Sequence, residues 1–276
     1  MQCPTCGLDT GQHERHCPNC LSDLGFPNVR AARLPDEVSA LDARFMEALA
    51  NADAEATRSI VDDFAVALES SAVVVCRQYG DVYDFLKSDN ELYASFALLV
   101  EGKKRRPSAA PIDLARRQTD AIFFPYFEKE IRFAALSLDG LGAAHYGPVS
   151  IVLAPSAIRL RTSFFEKNTV EFAIERKLGP GRPVPPGFRS DWDRRHKLAV
   201  AKGHGRIRPS TAASDFPRIV LDGDEFIEAH IYGPLHRRAI QRLVARYPRG
   251  SDEMAYLLAI QDLLAKESLP IKLDIV

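Results

Sequence analysis

Four of the five cysteines fall within the first twenty residues, as Cys3-Pro4-Thr5-Cys6 and Cys17-Pro18-Asn19-Cys20. Each C-x-x-C turn directs two thiolates at one point, and ten residues separate the turns. A structural zinc ion takes four sulfur or nitrogen donors in a closed tetrahedron. Cys3, Cys6, Cys17 and Cys20 are therefore expected to hold one structural zinc. Pro4 and Pro18 restrict the turns before the metal binds. A C-x-x-C pair also serves dithiol redox chemistry. Two copies this close, without the strand and helix of a redox fold, point to metal instead. His13 and His16 lie in the loop, but four thiols already complete the set. A tip of this size has no apolar core, so its folding free energy must come largely from the ion.

A second group of chemical side chains lies at Glu225-Phe226-Ile227-Glu228-Ala229-His230-Ile231-Tyr232. In a strand, side chains alternate between faces. Ile227, Ala229 and Ile231 would be buried, while Glu228, His230 and Tyr232 share the other face. A carboxylate, an imidazole and a phenol in a row can position a polar ligand or move a proton. Arg159, Arg161 and Ser163 are read the same way, opposite Ile158, Leu160 and Phe164. A guanidinium on a strand suits recognition of phosphate or carboxylate. The plainer alternative is a Glu228 to Arg161 ion pair across a solvated sheet.

The elements that must position these groups can be read along the chain. With 276 residues, 46% of them hydrophobic and 26% charged, a sizeable core is available. The formal charge of −1 gives no global attraction to nucleic acid or anionic lipid, so such binding would need local patches. No apolar run approaches a membrane span, and no secretory signal opens the chain, so a cytoplasmic location is expected. Residues 1–24 form the metal tip and 25–35, with Gly25, Pro27, Asn28 and Pro35, a linker. Residues 36–130 read as mainly helical. Stripes at Val38, Leu41, Phe45 and Leu49 and at Ile60, Phe64 and Leu68 predict two helices, Ala72 to Cys76 a strand, and Pro111 to Glu130 a helix with a kink at Pro125. The basic run Lys103 to Arg106 reads as a solvated loop, with a phosphate patch as the alternative.

Residues 131–276 read as an α+β domain. Strands are predicted at Ile131 to Leu138, Val149 to Leu153, Ile158 to Phe165, Thr169 to Glu175, Ile219 to Leu221 and Glu225 to Tyr232. Helices are predicted at Trp192 to Lys202, Pro234 to Arg246 and Asp252 to Lys266, before a last strand. The expected fold is a zinc tip, a helical segment, and a mixed antiparallel-rich sheet with flanking helices.

Two resemblances bear on function. The cysteine motif is similar to short zinc ribbons at the ends of many bacterial proteins, which implies a protein or nucleic-acid target for the tip. Tyr146-Gly147-Pro148-Val149, the Arg-bearing segment ending in Thr162-Ser163, and Phe226 to Leu235 together resemble an uncharacterised bacterial domain family similar in spacing to the ADP-ribosyltransferase fold. That resemblance spans about 90 residues. It implies NAD as cofactor, Arg161, Tyr146 and Tyr232 as its contacts, and Ser163 in support. It further implies Glu228 as the carboxylate that holds the nicotinamide ribose, and His230, on the same strand face, is a further catalytic candidate. The family's Ser-Thr-Ser run is absent, and Phe226 stands where many members carry a second Glu or Gln. The reading that follows is an ADP-ribosyltransferase-like enzyme, a toxin or defence effector. The rivals are a non-catalytic binder of nucleic acid or protein, and a nuclease using His230 or His204 with Glu228.

Overall fold

A computed structural model of the chain describes residues 1–89, 92–93, 111–179 and 181–276. The basic run Lys103 to Arg106 lies outside the described residues.

One eight-stranded sheet organises the chain. Its strands are β1 (Ala72–Arg77), β2 (Ile131–Ser137), β3 (Val149–Leu153), β4 (Thr162–Phe165), β5 (Arg189–Asp191), β6 (Glu228–Tyr232), β7 (Ile240–Ala245) and β8 (Lys272–Ile275). They lie in the order β8-β7-β3-β1-β2-β6-β4-β5. Only β7 and β8 run parallel; every other neighbouring pair is antiparallel. The α+β, antiparallel-rich class is therefore as the sequence indicated. β1 comes from the 36–130 stretch and sits between β3 and β2, so that stretch and residues 131–276 share one sheet.

The helices are α1 (Pro27–Ala31), α2 (Pro35–Ala54), α3 (Arg58–Ala67), α4 (Tyr79–Leu86), α5 (Pro111–Phe123), α6 (Pro155–Ile158), α7 (Thr169–Glu175), α8 (Arg195–Gly203), α9 (Phe216–Val220) and α10 (Ser251–Lys266). Prolines open α1, α2 and α6, where a missing N–H costs nothing. Leu41, Leu49, Phe64 and Leu68 are buried, as the stripes of α2 and α3 require. With α8 they cover one sheet face, packing on Val73, Val75, Leu136, Phe164, Ile227, Ala229 and Ile231. The other face carries a smaller aromatic core of Phe123, Phe124, Phe127, Phe165 and Phe172, covered by α5 and α7. The alternation expected of β6 is thus realised, but its polar side lies beneath helices.

Five elements differ from the sequence reading. Thr169–Glu175 is the helix α7, because the Asn168 side chain accepts a hydrogen bond from Val170 N at 2.9 Å and caps it. Ile174, whose alternation suggested a strand, is 65% exposed. The strand expected at Ile158 to Phe165 is shortened to Thr162–Phe165, since Pro155 starts a helical turn that a 3₁₀ turn at Arg159–Arg161 continues. Ile240 to Ala245 is the strand β7 within a stretch read as a helix. Ile240, Leu243 and Val244 carry helical spacing because an inner strand is buried on both faces and its register shifts between Ile240 and Arg242. Ile219 lies within α9, which runs to Val220, so the strand expected from Ile219 begins only at Leu221, and Phe123 ends α5 two residues before Pro125.

Candidate functional site

Glu228 opens β6 and is 1% exposed. Its Oε1 accepts a hydrogen bond from Arg116 Nη2 of α5 at 3.0 Å. Its Oε2 accepts from Thr169 N at 3.0 Å and Thr169 Oγ1 at 2.9 Å, and lies 3.1 Å from His230 Nε2. Arg116 Nη1 donates in turn to Thr169 Oγ1 at 3.0 Å, and the guanidinium lies 3.9 Å over the Phe133 ring. Helices α5 and α7 thus clamp the carboxylate from outside the sheet, while His230 holds it along the strand.

The charges follow from this geometry. Burial alone would raise the Glu228 carboxyl, but Arg116, His230 and the Thr169 amide outweigh it and hold the group at about 2. Burial lowers His230, more than its carboxylate neighbour raises it. The pair is therefore a neutral imidazole donating Nε2–H to an ionised Glu228, with Phe124 and Phe133 packed edge-on to the ring. Asp120, one helical turn after Arg116, behaves differently. Burial pushes it up to about 7, Arg116 opposes and Glu228 adds to the rise. Its Oδ1 is buried without a hydrogen bond, 3.8 Å from Arg116 Nη1.

The other anticipated residues are dispersed. Tyr146 ends a 3₁₀ turn, 46% exposed, with its phenol raised by burial and by the nearby Glu228 charge. Its ring meets that of Phe226 with centroids 6.5 Å apart. Tyr232, two steps beyond His230, packs against Phe26 and Phe127. Ser163 sits opposite His230 in the β4–β6 ladder, and its Oγ lies 3.2 Å from Asn28 Nδ2. The cavity they line is about 10 Å³, the size of one water. Arg161 is not brought to Glu228. Its guanidinium turns back onto the carbonyls of Ala157, Tyr232 and Pro234. His204 holds the carbonyls of Val200 and Ala201 at the end of α8, so it is not paired with Glu228 either.

Arg116, Thr169 and Asp120 are site residues the sequence reading missed. Nothing in their local sequence marks them, because the cluster forms only when two helices cover β6. Asn28, read as linker, is a fourth. It is 3% exposed, and its Nδ2 donates to the carbonyls of Arg161 at 3.1 Å and His230 at 2.8 Å.

Through Asn28 the cysteine tip is tied to the sheet. The sulfurs of Cys3, Cys6, Cys17 and Cys20 all lie within 4.8 Å of one another, with Cys3–Cys20 and Cys6–Cys17 at 3.6 Å. Tetrahedral zinc with Zn–S near 2.3 Å places sulfurs about 3.8 Å apart. The donor set therefore fits the ion. Ser22 Oγ lies 3.2 Å from Cys3 Sγ and 3.1 Å from Cys20 Sγ, and this hydroxyl is the main cause that lowers both thiols, Cys3 to about 5. Arg30 then clips the tip to α1, donating to the carbonyls of Gln12, Glu14, Leu24 and Gly25.

By class, then, this is an α+β protein with a four-thiol tip and an Arg-Glu-His cluster buried on the second face of its sheet. No protein-family model and no curated protein matches the chain. Among solved structures it is similar to Thermus sp. 2.9 DarT in complex with carba-NAD+, at 8% identity and TM-score 0.39, over 75% of this chain and 95% of that one. It is also similar to the same protein in complex with NAD+, at 8% identity and TM-score 0.36, over 74% and 94%. A third is the complex with ADP-ribosylated ssDNA, at 9% identity and TM-score 0.34, over 75% and 95%. At this distance, function has to be argued from the residues themselves.

Proposed function

We propose that the chain is an ADP-ribosyltransferase-like enzyme that uses NAD, with Glu228 as its central carboxylate and a structural zinc in the four-thiol tip. One observation carries the reading: the buried Glu228 carboxylate is fixed before any ligand arrives, by Arg116 on Oε1 and by Thr169 and His230 on Oε2. A carboxylate fixed in advance stabilises a developing cation without reorganising, which is the requirement when nicotinamide leaves a ribose. Among the described residues Oε1 accepts a single hydrogen bond, from Arg116, whereas Oε2 is engaged three times. Oε1 is therefore the less engaged of the two oxygens. Oε1 is thus the atom for a ribose hydroxyl. In the step itself the C1′–N bond breaks, its electron pair leaves with nicotinamide, and a nucleophile of the target bonds to C1′ and gives up its proton.

In this scheme Arg116, not Arg161, supplies the cation beside the carboxylate, and His230 acts as a positioning residue through its bond to Oε2. Tyr146, exposed and within electrostatic reach of Glu228, is the NAD-facing group. In this reading the ligand enters from the Tyr146 side, because the cavity beside His230, about 10 Å³, has room for no more than one water. The tip, pinned by Asn28 and Arg30, is the recruiting element for a protein or nucleic-acid target.

The test is nicotinamide release and transfer of label from NAD in a lysate, by wild type and by Glu228→Gln. Wild type should be active, and the variant, checked for folding by circular dichroism, should lose on the order of 10²-fold or more. No turnover by wild type, or equal turnover by a folded variant, would sink the proposal.

A further inference from the structure

Arg161 has a different task. Its Nε donates to Ala157 O at 3.0 Å, and its Nη1 to Tyr232 O at 2.7 Å and Pro234 O at 2.9 Å. Gly233, at φ +79°, makes the turn that brings both carbonyls onto one nitrogen, and a Cβ there would lie 3.4 Å from Nη1. Three bonds therefore fix the plane of the guanidinium. Yet among the described residues no carboxylate pairs with Arg161, and its Nη2 makes no hydrogen bond. A half-buried cation without a counter-ion is held at a cost that a bound anion would remove.

This side chain lines an open cavity of about 430 Å³ with Asp89, Ala157, Pro234, His236, Arg238 and Ala239. The depression is shallow and open to solvent, with space for a small ligand against its wall. Among the described residues Asp89 is the one acid in the lining, and it is already engaged, by Arg237 Nε at 2.7 Å and Arg238 Nη2 at 3.2 Å. Those same contacts, Arg237 first, hold its carboxyl below the usual range. His236 is spent as well: Nε2 meets Asp89 O at 2.7 Å and Nδ1 accepts from Arg238 N at 3.1 Å. What remains is the uncommitted Nη2 of Arg161 and the rest of the Arg238 guanidinium, 78% exposed, whose Nη2 is held by Asp89.

We propose that Arg161 and Arg238 form a binding site for a small phosphate-bearing ligand, a phosphomonoester or diphosphate, separate from the Glu228 cluster. Two guanidinium groups on one cavity suit a multiply charged tetrahedral oxyanion, which can take several N–H bonds at once. Because Arg161 is locked before binding, little side-chain freedom is lost when the anion docks. The apolar floor of Ala157, Pro234 and Ala239 leaves room for the organic part of an ester.

Titration calorimetry with inorganic pyrophosphate, on the full chain at low ionic strength, tests this without reference to NAD turnover. Wild type should bind saturably with one site per chain. Arg238→Gln, an exposed change that leaves the fold intact, should weaken binding about tenfold or more, and Arg161→Lys should do the same. Arg58→Gln, on the distant surface of α3, should have no effect. The proposal is overturned if wild type shows no saturable binding up to about 10 mM. It is equally overturned if Arg238→Gln binds like wild type, or if Arg58→Gln weakens binding as much.

Discussion

Replacing Arg116 by Met should destabilise the protein through Glu228 rather than through lost packing. In the unfolded chain Glu228 titrates near 4.5, and in the fold at about 2. At about 1.4 kcal/mol per pH unit, that difference is worth roughly 3 kcal/mol. The folded value is the depressed one, so this stability is fully present above pH 4.5 and is lost as the pH falls toward 2. Arg116 is the leading stabilising cause, and removing it leaves a 1% exposed carboxylate without its cation. Such a broken buried pair costs about 3–5 kcal/mol near neutral pH. Adding Glu228→Gln removes the stranded charge and should recover at least half of that loss. Urea unfolding of the wild type, both single variants and the double variant at pH 7 measures the cycle. Repeating it at pH 4 should show a smaller cost for Arg116→Met, because Glu228 is then protonated in the variant. A cost below about 1 kcal/mol for Arg116→Met, or no recovery on adding Glu228→Gln, would refute the coupled ion pair.

Other outcomes follow from neighbouring features. Asp120→Asn should stabilise the fold above pH 7 and change little below pH 4, since a carboxyl raised from 3.8 to about 7 loses stability as pH rises through that window; thermal melts at both ends check the sign. Protein purified without chelator should carry one zinc per chain by elemental analysis, and Cys17→Ser should abolish it. Stripping the metal should then raise amide exchange not only in the tip but across α1, because Arg30 fastens the tip's carbonyls to that helix. Asn28→Ala should cost roughly 1–3 kcal/mol in denaturant unfolding, having left the buried carbonyl of His230 without its donor. Leu21 follows the second cysteine pair at φ +59°, where Gly7 follows the first at +73°, and it is 75% exposed. Leu21→Gly should therefore raise the melting temperature by relieving left-handed strain of about 1 kcal/mol.

The division between what could be read and what could not is physical. The cysteine tip was legible because its ligands are local: two short turns fix the donors whatever the rest of the chain does. β6 was legible because its alternation is strict, with Ile227, Ala229 and Ile231 facing the larger core. β7 was not, since a strand buried on both faces loses the alternation that distinguishes it from a helix. α7 was misread for the converse reason. Val170, Phe172 and Ile174 alternate in sequence, but Asn168 sets the backbone before any of them packs.

The site divides along the same line. Glu228 and His230 could be found because they are two residues apart on one strand. Arg116, 112 positions upstream, and Thr169, 59 positions upstream, reach them only through tertiary packing. Arg161 shows the opposite error. Its spacing to Ser163 placed it on the strand face, but Pro155 winds the chain through a turn first and commits the side chain to the carbonyls after β6. A buried carboxylate then recruits whichever cation the fold brings nearest, and that identity is set by how α5 lies across the sheet. The pairing of Glu228 with Arg116 instead of Arg161 is therefore a property of the assembled layers, and among the described residues it leaves Arg161 without a carboxylate partner at a separate, open cavity.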